Sequence, residues 1–246
     1  MSARSDLWLQ CLTEPAEPLR RLVCFPHAGG SAAFFRDWGR LLPEFEVYAV
    51  RYPGRAERID EPPCADLRLL ARDIAEAILP LADPGVVLFG HSMGAAVALE
   101  TARSLESCGV VPVHLFASGS RDAPCPPPAG AVEIDENDAE TVARLIELGG
   151  TDPALAADPL FQELVLPYIK ADTGMFHAYA MSPQPVLHCP VTAIVGDADD
   201  DADLRPWSEL TGGPFRQKIV SGDHFYLLAE PPLGELRLSL DPTTIQ

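Results

Sequence analysis

One short stretch, FGHSMGA (Phe89 to Ala95), restricts the possible folds of this chain more than any other. It lies between a β-rich apolar run, VVLF, and a segment of helical character, AAVALETARSL. Gly90 and Gly94 bracket Ser92 in the pattern G-x-S-x-G, and glycines so placed let the chain pass through a strand-to-helix turn too tight for side chains. A strand whose carboxyl end opens directly onto a helix is the unit that, repeated, builds a mainly parallel sheet. The turn lifts the serine hydroxyl into the open, at a helix amino terminus that favours developing negative charge. A serine that merely caps a helix in a Gly-rich turn would look similar, so a chemical reading needs partners elsewhere in the chain.

The surrounding pattern agrees with such a sheet. RLVCF (21 to 25), EVYAV (46 to 50), GVVLFG (85 to 90), VPVHLFAS (111 to 118), PVTAIVG (190 to 196) and FRQKIV (215 to 220) read as strands, alternating with helix-length segments. DLRLLARDIAEAILPL carries Leu67, Leu70, Ala71, Ile74, Ala77, Ile78 and Leu81 at the spacing of a helix with one buried face. With 246 residues, 47% of them hydrophobic, the expectation is a single α/β domain over 1–246. The alternation breaks after VHLFAS. RDAPCPPPAGA is too Pro-rich for helix or central strand, and helical patterns follow at about 137–148 and 159–179 before the sheet resumes. We read about 122–187 as an insertion over the carboxyl edge of the sheet, either a lid over a substrate chamber or an ordinary helical excursion.

A serine hydroxyl is a weak nucleophile at neutral pH, so Ser92 requires a base and an orienting acid, here in the chain order Ser, Asp or Glu, His. VSGDHFYLL places His224 in a Gly-Asp turn after a strand, where a base is needed. The acid belongs after the preceding strand, where GDADDDAD (Gly196 to Asp203) packs five aspartates into eight residues. Their alternating spacing resembles the start of a calcium-binding loop, but Ala202 stands where that loop needs glycine and Ser208 where it needs a bidentate Glu. One aspartate therefore serves as the acid and the others form a solvated cluster. CFPHAGGSAAFF (Cys24 to Phe35) adds a Gly-rich loop that can offer the backbone N–H of Ala28 to an oxyanion, beside that of Met93.

Charge and cysteine usage remove other classes. Lys plus Arg number 18 against 36 Asp plus Glu, a net charge of −18 that repels nucleic acid and anionic membrane surfaces. The amino terminus lacks a signal-peptide apolar core and no apolar run reaches spanning length, so a cytoplasmic protein is expected. The six cysteines show no metal-ligand spacing and read as free thiols, with no metal site.

In order, FPHAGGSA, RYPGRAER, FGHSMGA, LPYIKAD, CPVTAIVGDAD and GDHFYLL resemble the stand-alone type II thioesterases of polyketide synthases and nonribosomal peptide synthetases, over about Leu22 to Leu228. The resemblance implies an α/β-hydrolase fold with a helical lid, and hydrolysis of acyl thioesters on the phosphopantetheine arm of acyl or peptidyl carrier proteins, removing aberrant or misprimed acyl units. It implies Ser92 as nucleophile, His224 as base and, from the usual G-x-x-D placement, Asp199 as acid, with Asp197 the main competitor. Proline often follows that aspartate in the family; Asp200 and Asp201 follow it here, so a register shift would pass the role to a neighbour. The only cofactor implied is the partner's own pantetheine arm, and the expected state is a monomer.

Phe34, Phe35, Met93, Met175, Phe176 and Tyr179 are candidates for the acyl chamber, although such side chains at helical spacing serve equally as core. Carrier proteins are usually acidic, which points to Arg36, Arg40, Arg51, Arg55 and Arg58 as a docking patch, unless these pair with internal acids. A product-releasing or chain-length-determining thioesterase, or a small-molecule carboxylesterase, would use the same triad.

Overall fold

The computed structural model describes residues 3–13, 15, 17–120, 138–180, 182–199 and 207–240. Helix α1 (Ala3–Trp8) leads into β1 (Leu9–Cys11), followed by β2 (Arg20–Phe25), α2 (Trp38–Leu41), β3 (Phe45–Val50), α3 (Leu67–Ile78), β4 (Val86–His91), α4 (Met93–Ser107) and β5 (His114–Ser118). Four helices then intervene, α5 (Asp138–Glu147), α6 (Pro153–Ala156), α7 (Pro159–Leu164) and α8 (Leu166–Ala178). The chain returns through β6 (Val191–Gly196), β7 (Phe215–Val220), α9 (Tyr226–Ala229) and α10 (Leu233–Leu238). The seven strands are ordered β1-β3-β2-β4-β5-β6-β7. Only β1 runs antiparallel to its neighbour.

The six strands expected from sequence are present, with ends shifted by a few residues. β5 begins at His114 rather than Val111, after Pro112, which has no N–H to donate to a ladder. β1 was not expected: three residues are too few to show an alternating pattern. One segment expected as a single helix over 159–179 is two, α7 and α8, parted at Val165. Pro167 in the first turn of α8 explains the break, since its ring would clash with a helical carbonyl four residues back. The short α6 was also unforeseen; Asp152 caps it by accepting from the Ala154 and Leu155 N–H groups.

Both faces of the sheet are covered. Leu67, Leu70, Ile74 and Ile78 of α3 pack with α4 and the inner strands in one core layer. Trp38 of α2, Leu227 of α9 and Leu236 of α10 close the other around Phe45, Phe89 and Phe116. α4 is buried along most of its length, and the small residues Gly94, Ala95, Ala96 and Ala98 let it lie close on the sheet. This seats its amino terminus at the carboxyl end of β4, the middle strand of the sheet.

Candidate active site

Ser92 occupies the junction of β4 and α4 with φ 56° and ψ −125°, a region that residues with side chains rarely visit. Such a conformation costs about 1–3 kcal/mol and persists only where its surroundings enforce it. Here the enforcement is visible: the Ser92 N–H donates to the Ser118 carbonyl of β5 at 2.8 Å. A Cβ at Gly90 would strike the Gly94 carbonyl, and one at Gly94 would strike the Phe25 carbonyl. Both glycines of the motif are thus required by backbone packing.

His224 follows β7, and its Nδ1 lies 3.1 Å from Asp199 Oδ2. Both side chains are buried, at 7% and 3% exposure. The loop after β6 is tied to the one after β7: the Ala198 N–H donates to the Gly222 carbonyl at 2.9 Å, and the Gly222 N–H to Asp197 Oδ1 at 2.9 Å. Asp197, the competitor, is exposed and occupied with this turn, while Asp199 faces the imidazole. Asp200, Asp201 and Asp203 lie outside the described residues.

Ser92, His224 and Ala28 open onto one cavity of about 240 Å³. Its apolar wall comes largely from the insertion, through Leu145, Leu148, Phe161, Val165 and Ile169, with Phe225 beside the histidine. A second, more polar cavity of about 270 Å³ meets His224 and Asp199 and is bounded by Arg144, Glu147 and Asp223. Met93, the other expected oxyanion donor, is the first residue of α4, so its N–H belongs to the first turn, which lacks intrahelical acceptors. Its side chain is core.

Phe34, Phe35, Met175, Phe176 and Tyr179, the expected chamber residues, are not among the residues that line these two cavities. Phe35 is fully buried against Trp38 and Phe89 beneath the sheet. Phe34 is half-buried with its edge on His27, at 4.6 Å between ring centroids. Met175 and Tyr179 enter the core, Phe176 packs against it, and the Tyr179 hydroxyl donates to Glu100 at 2.5 Å. On α8, Ile169 and Thr173 are four residues apart and share the cavity face, whereas Met175, and Tyr179 just past the helix end, meet the core.

The expected docking patch changes too. Arg36 and Arg40 are exposed and Arg51 donates to the Asp6 carbonyl at 3.0 Å. Arg55 and Arg58, however, are buried and paired with Asp172 and Glu61, so they present no charge to a partner.

Two more histidines surround the site. The His91 ring lies 5.1 Å from that of His224, and His27 contacts Phe225 at 4.9 Å. Burial, reinforced by the charge of His224 and then by Arg55, pushes His27 down to about 3. Burial and then His224 likewise push His91 well below its ordinary value. Both stay neutral near pH 7, so no second imidazolium develops beside His224. His91 Nδ1 pairs with Ser118 Oγ at 3.0 Å, and that hydroxyl with Tyr226 at 2.7 Å, a polar chain under the turn. Among the described residues no group of three or more His, Cys, Asp or Glu could hold a metal ion, and no helix is long and apolar enough to cross a membrane.

The comparisons with known proteins converge on this architecture. The thioesterase-domain family model matches residues 20–236. Thioesterase PikA5 of Streptomyces venezuelae is 39% identical over 233 residues, covering 92% of this chain and 82% of the relative. BorB, a type II thioesterase from the borrelidin biosynthetic cluster, superposes with a TM-score of 0.84 at 37% identity, covering 98% of this chain and all of the other (100%). YbtT, a type II thioesterase from the yersiniabactin NRPS/PKS biosynthetic pathway, gives 0.81 at 27% identity over 97% of this chain and 100% of its own. Fold, strained serine turn and these likenesses agree: the chain belongs to the thioesterase family of the α/β-hydrolase fold.

Proposed function

We propose that the chain hydrolyses acyl thioesters held on the phosphopantetheine arm of acyl or peptidyl carrier proteins, clearing aberrant or misprimed acyl units from a polyketide synthase or nonribosomal peptide synthetase. The observation that carries the reading is His224, paired with the buried Asp199, opening onto the same cavity as the strained Ser92. With the Nδ1 proton donated to Asp199, Nε2 is left to take the proton of Ser92 Oγ as that oxygen attacks the thioester carbonyl. The N–H groups of Ala28 and Met93 receive the oxyanion; a single such donor contributes about 3–4 kcal/mol to the transition state. Collapse of the tetrahedral intermediate breaks the C–S bond, and the histidine proton passes to the departing thiol. Water, deprotonated by the same imidazole, then attacks the acyl-Ser92 ester and frees the carboxylic acid.

The chain needs no cofactor for these steps, because the pantetheine arm arrives with the partner. The relatives from borrelidin and yersiniabactin pathways support carrier-bound substrates. The test sets an acylated carrier protein against p-nitrophenyl esters of the same acyl group. A marked preference for the carrier thioester, abolished in Ser92→Ala, is expected; preference for the free ester, or hydrolysis that survives Ser92→Ala, refutes the reading.

A further inference from the structure

The segment RYPGRAER contributes nothing to the serine, histidine or acid, yet it wraps beneath the loop that carries Ala28. The Tyr52 hydroxyl donates to the Pro26 carbonyl at 3.2 Å, and Arg55 Nη1 to the Gly30 carbonyl at 3.2 Å. Nη1 and Nη2 of Arg55 also donate to Asp172 on α8, at 2.5 Å each. The same carboxylate accepts the Gly29 N–H at 2.8 Å. One turn earlier on α8, Ile169 lies against Gly29, which has φ +77°, so closely that a Cβ there would meet Ile169 Cγ1 at 2.5 Å. Pro26, Gly29 and Gly30 are therefore gripped on either side of Ala28, from Tyr52, Arg55 and Asp172.

Arg55 and Asp172 are each 3% exposed. Taking such a pair out of water offsets most of its attraction, so a buried ion pair is weak evidence of added stability. Its geometry here is specific: the planar fork of arginine meets both oxygens of one carboxylate while that carboxylate holds a backbone amide. The Arg55 plane is further framed by Tyr52 and Tyr168, with ring centroids 5.3 and 4.9 Å away.

We propose that Arg55 and Asp172 are positioning residues that clamp the oxyanion loop to α8, so that the Ala28 N–H is set for catalysis only while this helix of the insertion is seated. The inference rests on the role given to Ala28 in the proposed function. α8 then does two jobs with one face: Ile169 and Thr173 wall the acyl cavity, and Asp172 fixes the donor that stabilises the reaction of whatever fills it.

The test compares wild type, Asp172→Asn and the double variant Arg55→Met with Asp172→Leu. Each is measured for thermal melting, for kcat and KM on an acyl-N-acetylcysteamine thioester, and for affinity toward an alkylboronic acid, which adds to a serine oxygen as a tetrahedral anion. The clamp predicts that Asp172→Asn loses on the order of 10- to 100-fold in kcat with KM little changed, because the donor is misplaced rather than the substrate site removed. Boronate affinity falls by a similar factor. Removing both charges together restores melting toward wild type but not turnover. If Asp172→Asn does not fold, the double variant alone decides. A folded double variant with wild-type kcat, or a kcat loss without weaker boronate binding, overturns the clamp. Should wild type neither turn over the thioester nor bind the boronate, the fault lies with the proposed function instead.

Discussion

Replacing Asp199 by Asn removes one oxygen's charge and leaves the side-chain shape intact. In the proposed mechanism the resting hydrogen bond, 3.1 Å from Nδ1 to Oδ2, holds the imidazole in the tautomer whose Nε2 accepts a proton. An amide can donate to Nδ1 instead and favour the wrong tautomer. It also removes the counter-ion of the imidazolium formed as Ser92 attacks. At this separation, with an effective dielectric of about 20, the lost attraction is roughly 5 kcal/mol. That corresponds to about four decades in rate. It matches the approximately 10⁴-fold loss typical when a triad aspartate becomes asparagine. Asp197→Asn is the paired control, since an amide oxygen can still accept the Gly222 N–H from this exposed position; its effect is limited to about 0.5 kcal/mol, roughly twofold. Thiol release from an acyl-N-acetylcysteamine thioester, with folding checked by circular dichroism, reads both variants. Retention of more than about a tenth of kcat by Asp199→Asn, or a crippled Asp197→Asn, refutes the assignment of the acid.

Acid lowers stability in a defined window. Folding lowers the pKa of His27 to about 3 and of His114 to about 4, both chiefly by burial, and depresses His91 as well. The unfolded chain therefore binds more protons below pH about 6.5, and stability falls by about 1.4 kcal/mol per pH unit for each histidine from there down toward 4; a midpoint in urea that holds steady between pH 7 and 5 contradicts this. Gly94→Ala sets a Cβ on the Phe25 carbonyl and costs about 1–3 kcal/mol or more of unfolding free energy, whereas Gly109→Ala, which meets no atom within 4 Å, carries only the strain of its positive φ. Phe161→Ala enlarges the cavity and shifts preference toward longer acyl chains by about 1–3 kcal/mol per methylene accommodated; an unchanged chain-length profile removes Phe161 from the chamber.

The fold was legible because its signals are local and steric. G-x-S-x-G between a strand and a helix demands a close backbone crossing, and the chain makes that crossing at Gly90 and Gly94. The period of Leu67 to Ile78 was equally direct, because only one face of that helix meets a core. α8 defeated the same reasoning. It is apolar on two faces, one toward the cavity through Ile169 and one toward the core through Met175, and spacing does not distinguish a cavity from packed side chains. Asp199 and Asp197 are separated by burial and partners, which a run of identical residues does not display. Whether Arg55 was a surface charge or the partner of an internal acid stayed open in the sequence, because Asp172 is 117 positions away on another element.

The central claim is covalent: the acyl group leaves its thiol for Ser92 before water removes it. Wild-type enzyme mixed with an acylated carrier protein, quenched with acid on the millisecond scale and digested, should yield the peptide containing Ser92 heavier by one acyl group, with matching early release of carrier thiol. Ser92→Ala should show neither. Thiol released without acylation at Ser92, or an acyl group trapped on another residue, would contradict the account.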